Sequence, residues 1–223
     1  MATEPASGGV LFDVDGTLVD TNYLHVVAWW QAFRSQGHQV EMTRLHRTVG
    51  QGSDQFVSSI LGHDDQKVAD AHTDFYGQWK HQLAAFPGAA ELLRITKKAG
   101  LSVVLATSAS EDEAEHLTAA IDADDVIDVV TTKADVDASK PDPDIVQTAL
   151  DKAGLRADDA VFLGDTVWDV QAASRAGVPC VAVLSGGISA AELREAGAIA
   201  VYRDVAQLVE EFDDSPLGRL TQR

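Results

Sequence analysis

Short, unbroken apolar runs rich in Val, Leu and Ile recur at residues 10–14, 101–106, 126–130, 160–163 and 178–184, and most are followed by stretches with helical spacing. A strand with one wet face alternates apolar and polar residues, whereas a run without alternation belongs to a strand covered on both sides. The pattern predicts an α/β fold, a parallel sheet with helices on both faces. Ser110 and Glu113 form a capping-box pair ahead of an Ala-rich helix ending near Ile121, and Gly100, Gly154 and Gly177 read as helix stops. A last strand at 199–202 and a helix at 204–212 close the unit, and the tail from Asp213 is expected to fray.

Residues 21–86 break this rhythm. They hold three of the four tryptophans and most of the histidines, with helical spacing and no strand-like run. An inserted helical unit is predicted there, its core built on Trp29, Trp30 and Trp79. The chain leaves the sheet at Asp20-Thr21-Asn22 and returns at Pro87-Gly88, so residues 1–20 and 87–223 make one body and 21–86 another.

The chain has 223 residues, 45% of them hydrophobic, enough for one substantial core and a smaller satellite. It carries 17 Lys and Arg against 35 Asp and Glu, a formal net charge of -18, with no basic cluster, which argues against nucleic acid as a partner. The same field repels small phosphates unless positive charge is concentrated locally. Cys180 is the only cysteine and lies in an apolar run, so it reads as a small buried hydrophobe in a reducing compartment. Met1 to Gly9 has neither a basic region nor a long apolar stretch, and no run reaches the ~18 apolar residues of a membrane span, so a soluble cytoplasmic protein is expected.

In an open parallel sheet, ligands bind beyond the carboxyl ends of the strands, so the informative residues are those just after each apolar run. There stand Asp13 and Asp15, then Thr107 and Ser108, then Asp165 and Asp169, with Lys140 ahead of a helix that Asp142 and Asp144 help to start. Two carboxylates about 4 Å apart repel by roughly 4 kcal/mol at an effective dielectric near 20, so such a cluster requires a counter-charge. Oxygen ligands without His or Cys at ligand spacing select a hard divalent cation, and room for water and phosphate favours Mg²⁺ over Ca²⁺.

The four separated signatures resemble, in order, those of the haloacid dehalogenase superfamily: Asp13-Val14-Asp15-Gly16-Thr17, Thr107, Lys140, and Gly164-Asp165 with Asp169. The resemblance implies a Rossmann-like core and a helical cap of the type found in phosphoglycolate phosphatases and β-phosphoglucomutases. It also implies Asp13 as nucleophile and Asp15 as acid and base, with Thr107, Ser108 and Lys140 on the phosphate. Asp13, the Asp15 carbonyl and Asp165 would hold Mg²⁺, supported by Asp169. In the cap, His25 matches a histidine that positions the acid and base. Ser53 stands where sugar-phosphate mutases carry an arginine for a second phosphate, and that departure is read as a loss of positive charge.

The expected function is Mg²⁺-dependent hydrolysis of a small phosphorylated metabolite, for which a monomer suffices because the cap covers the site. A β-phosphoglucomutase-like phosphomutase is the alternative within the fold, and a non-catalytic binding module the alternative outside it. Dehalogenation is disfavoured by the second aspartate of the D-x-D pair. Phosphonate hydrolysis would need a cap lysine in a recognisable setting, which neither Lys67 nor Lys80 has.

Overall fold

The computed structural model describes residues 8–222, and residues 1–7, on which the expectation about the start of the chain rests, lie outside it. After β1 (Gly9–Phe12) come four consecutive helices, α1 (Asn22–Ser35), α2 (Met42–Thr48), α3 (Ser53–Leu61) and α4 (Gln66–Tyr76). Strands and helices then alternate: α5 (Ala89–Lys98), β2 (Ser102–Ala106), α6 (Glu111–Ile121), β3 (Val129–Thr131), α7 (Asp144–Ala153) and β4 (Ala160–Gly164). The chain closes through α8 (Val167–Arg175), β5 (Cys180–Val183), α9 (Ala190–Ala196), β6 (Ala200–Tyr202) and α10 (Val205–Glu210).

The sheet is wholly parallel, in the order β3-β2-β1-β4-β5-β6. Successive side chains point to opposite faces, which the cores show directly. Val10, Phe12, Val103, Leu105 and Leu163 meet Leu92, Leu93 and Leu208 on one face. Leu11, Val104, Phe162 and Ala182 meet Ile145, Val146, Val170 and Leu193 on the other. Because β1 is dry on both sides, the first polar side chains it can offer are those beyond its end, at Asp13. Cys180 is free and buried, as its apolar setting requires.

Three boundaries differ from the sequence reading. Asp124–Val126 forms a 3-10 turn, which delays β3 to Val129. The tail does not fray: Leu217 and Leu220 pack into the first core, and Ser215 Oγ donates to the Phe212 carbonyl while accepting from the Gly218 N–H. The Ser110 box is half made. Its Oγ accepts from the Glu113 N–H, but the Glu113 side chain turns away toward the site.

The helical insert has its own core of Val26, Trp29, Phe33, Leu45, Phe56 and Val68, with Trp29 stacked on Phe56 at 4.2 Å. Trp30 packs at its edge beneath the Arg34 guanidinium. Trp79 lies outside it, half-buried in the turns after α4. Among the described residues no helix is long and apolar enough to cross a membrane.

Candidate active site

The end of β1 sets the geometry. The Asp13 N–H continues the ladder for one residue by donating to the Leu163 carbonyl at 2.8 Å, and Gly16, at φ +78°, then turns the chain. A Cβ on Gly16 would lie 2.5 Å from Asp165 Oδ2, so only glycine lets the turn pack there. Asp165 follows β4 directly and is fully buried. Asp169 lies in the first turn of α8, where one oxygen completes a capping box with Thr166 and the other lies 2.8 Å from Lys140 Nζ. The helix-start and site readings of Asp169 therefore both hold. Lys140, only 1% exposed, also ion-pairs with Asp13 and sits over the Phe162 ring.

Asp13, Asp165 and Asp169 each place a carboxylate oxygen within 4.8 Å of the others. Against these three negative charges stands one ammonium, that of Lys140, leaving the cluster at -2 when all are ionised. Among the described residues Asp165 has only neutral side-chain donors, Asn22 Nδ2 at 2.8 Å and Thr17 Oγ1 at 3.0 Å. Thr17 is equally close to Asp13, yet a hydroxyl has one proton and serves one carboxylate at a time. Burial consequently pushes the Asp13 carboxyl up to about 7 in spite of Lys140. Burial, then Asp169 and Asp13, drive Asp165 well above the usual carboxylate range. Against burial, Asp13 and Asp169 hold Lys140 firmly protonated. The buried Asn22 Oδ1 has no hydrogen-bond partner among the described residues. An excess of two negative charges, an orphaned oxygen and all-oxygen donors fit a hard divalent cation.

Asp15 belongs to a second group. Its carboxylate accepts from Thr21 Oγ1 at 2.7 Å and from Thr107 Oγ1 at 3.3 Å, and His25 Nε2 lies 3.3 Å away. Burial would raise Asp15, but the hydrogen bond and charge of His25, together with the Thr21 hydrogen bond and the Lys140 charge, outweigh it and hold the carboxyl below its ordinary value. Against burial, Asp15 and then Glu113 raise His25, whose ring is stacked on Tyr76 at 4.0 Å. His72, stacked on Trp29, is driven well down by burial and stays neutral. A doubly protonated His25 can thus donate to Asp15 from Nε2 and to His72 Nε2 from Nδ1, across 3.3 Å.

The sequence-predicted residues converge. Asp13, Asp15, His25, Ser53, Ser108 and Lys140 line one cavity of about 230 Å³. Asp165 and Asp169 are buried behind Asp13 and Lys140, and Thr107 behind Asp15. Lys67 is exposed on α4, whereas Lys80 lines the cavity and pairs with Asp112 at 3.5 Å. The reading of Ser53 as a loss of charge is corrected. Lys133, beyond β3, reaches across the cavity and donates to Ser53 Oγ at 2.6 Å. Asn22, His72, Glu113 and Lys133 also line the cavity, without the sequence pattern having marked them as site residues. For Asn22 a signal existed, a polar residue opening a helix beside the first signature; for Lys133 there was none.

The chain matches the family described as haloacid dehalogenase-like hydrolases over residues 10–183, and it belongs to that family. Similar proteins include validoxylamine A 7'-phosphate phosphatase of Streptomyces hygroscopicus subsp. limoneus, 30% identical over 177 residues, covering 77% of this chain and 83% of that protein. Phosphoglycolate phosphatase of Rhodospirillum rubrum is 31% identical over 214 residues, covering 89% and 88%. Among solved structures, a hydrolase from Pseudomonas syringae superposes with a TM-score of 0.88 at 34% identity, covering 93% of this chain and 98% of that one. Within the family this chain is an enzyme, a phosphatase.

Proposed function

We propose that the enzyme hydrolyses a small phosphorylated metabolite with the help of Mg²⁺, through a phosphoryl group carried on Asp13. The observation that carries this reading is the setting of Asp13: a buried carboxylate fixed by Lys140, beside two further acids whose charge that lysine cannot cancel, opening on a cavity of about 230 Å³. Residues 1–20 and 87–223 act as the catalytic core, and 21–86 as a cap.

Asp13, the Asp15 carbonyl and Asp165 would hold Mg²⁺, with Asp169 keeping Lys140 in place. The ion would neutralise charge on the phosphoryl oxygens and keep Asp13 ionised. Asp13 attacks phosphorus, the ester oxygen leaves, and one hard displacement becomes two easier ones. Lys140, Thr107 and Ser108 hold the phosphoryl oxygens.

Asp15 starts as a carboxylate because His25 and Thr21 stabilise that form. A phosphate dianion arriving beside it raises its pKa, so it takes up the proton that the leaving oxygen needs. Returned to the carboxylate, it removes a proton from the water that attacks the acyl phosphate. His25 acts by orienting Asp15. A cytoplasmic setting agrees with the free, buried Cys180.

Hydrolysis of p-nitrophenyl phosphate tests the reading. Activity is expected with Mg²⁺ and is expected to vanish in EDTA and to fall about 10³-fold or more in Asp13→Asn; survival under either condition overturns it. The mutase alternative is decided by products, since β-glucose 1-phosphate yields free phosphate from a phosphatase and glucose 6-phosphate from a mutase.

A further inference from the structure

From the bridge between Lys133 and Ser53 we infer that Lys133 is a specificity residue, reading a second anionic group, a carboxylate or phosphate, on the part of the substrate far from the reacting phosphorus. This rests on the phosphatase reading above.

Lys133 begins a short 3-10 turn after β3, and its N–H donates to the Ala109 carbonyl at 2.9 Å, which ties it to the loop carrying Thr107 and Ser108. The side chain reaches the other wall of the cavity, where Ser53 opens α3. The remaining cavity lysines have acidic partners: Lys140 has Asp13 and Asp169, and Lys80 has Asp112. For Lys133, no carboxylate among the described residues is within ion-pair distance. Ser53 occupies one of its three N–H donors and neutralises no charge.

In a chain with twice as many acids as bases, an ammonium facing a cavity with, among the described residues, only a hydroxyl for company is a good receptor for an anion. Because it is contributed by the core and meets the cap, an anion bound there would also touch both bodies. A substrate with a neutral tail would leave this charge unanswered.

Matched phosphate monoesters that differ at the far end test the assignment: phosphoglycolate against ethylene glycol phosphate, 3-phosphoglycerate against glycerol 3-phosphate, and glucose 1,6-bisphosphate against glucose 1-phosphate. In at least one pair the native enzyme is expected to favour the doubly anionic member in kcat/KM. Lys133→Met should reduce that preference about tenfold or more, mainly through KM, and Lys133→Arg should restore most of it. Lys133→Glu should turn the preference toward phosphoethanolamine over phosphoglycolate. The inference is overturned if no pair shows the preference, or if Lys133→Met lowers both members of every pair equally, as a mere latch between the two bodies would. Failure of the native enzyme to release phosphate from any monoester, p-nitrophenyl phosphate included, would instead overturn the phosphatase reading.

Discussion

In the core, each acid of the site stands at or just beyond the end of a regular element: Asp13 and Asp15 after β1, Asp165 after β4, and Asp169 in the first turn of α8. On the cap side, His25 comes from α1, His72 and Tyr76 from α4, and their stack is aligned by packing against Trp29 and Phe56. The first set is positioned by the backbone of a buried sheet, and two of its charges, those of Asp13 and Asp169, are paired with Lys140. The second set is positioned by side-chain packing, and the cap that carries it meets the core through side-chain contacts such as Gln55 Nε2 to Asp142 Oδ2 and to the Ser139 carbonyl, and His46 Nε2 to the Gly186 carbonyl. Removing Lys140, the counter-charge of the first set, should therefore damage the fold as well as the chemistry, and removing a member of the second set should damage mainly the rate.

Lys140→Met offers the largest break. It leaves three buried carboxylates without their ammonium, which costs about 3–5 kcal/mol and should lower Tm by roughly 10 °C or more, with activity lost. A Tm within about 2 °C of the native value would mean that the cluster does not depend on this lysine.

His25→Gln is the matching test for the cap. It removes the charge beside Asp15 but not the apolar packing of α1, so kcat is expected to fall by about 10- to 100-fold while Tm changes little. If Tm instead fell as far as in Lys140→Met, the distinction between the two regions would fail.

The smallest effect is a difference between two metal shifts. Asp13 is pushed up from 3.8 to about 7 and Asp165 rises well above its ordinary value. A raised folded pKa contributes stability that is complete below the unfolded value and is lost as pH rises through the folded one. For Asp13 the metal-free protein should accordingly lose this contribution between about pH 4 and pH 7, and the raised Asp165 adds to the loss as it ionises in turn. Mg²⁺ relieves the ionised cluster, so its addition should raise Tm by a few degrees more near pH 8 than near pH 5. Equal shifts at both pH values would place the ion elsewhere.

Legibility in the sequence follows the same division. Unalternating apolar runs mark doubly covered strands, and polar residues directly after them mark the crevice, so the places of Asp13, Asp15, Thr107 and Asp165 at the strand ends are legible without any contact being known. Pairs such as Lys133 and Ser53, 80 residues apart, have no periodicity to betray them, because they are created when the insert folds back over the sheet. By its spacing from Ser110, Glu113 reads as a partner for its own helix start, and only its position opposite His25 shows where the side chain goes. The tail reads as frayed because a few scattered leucines in a polar stretch do not reveal that Leu217 and Leu220 reach the core.

The central claim is that Asp13 accepts the phosphoryl group covalently, and trapping tests it most directly. Acid-quenching the enzyme during turnover, reducing it with borohydride and sequencing the peptides by mass spectrometry would convert an acyl phosphate at Asp13 into homoserine. The account predicts homoserine at residue 13, dependent on both substrate and Mg²⁺. An unmodified Asp13 in an enzyme caught turning over, or reduction at another carboxylate, would contradict it.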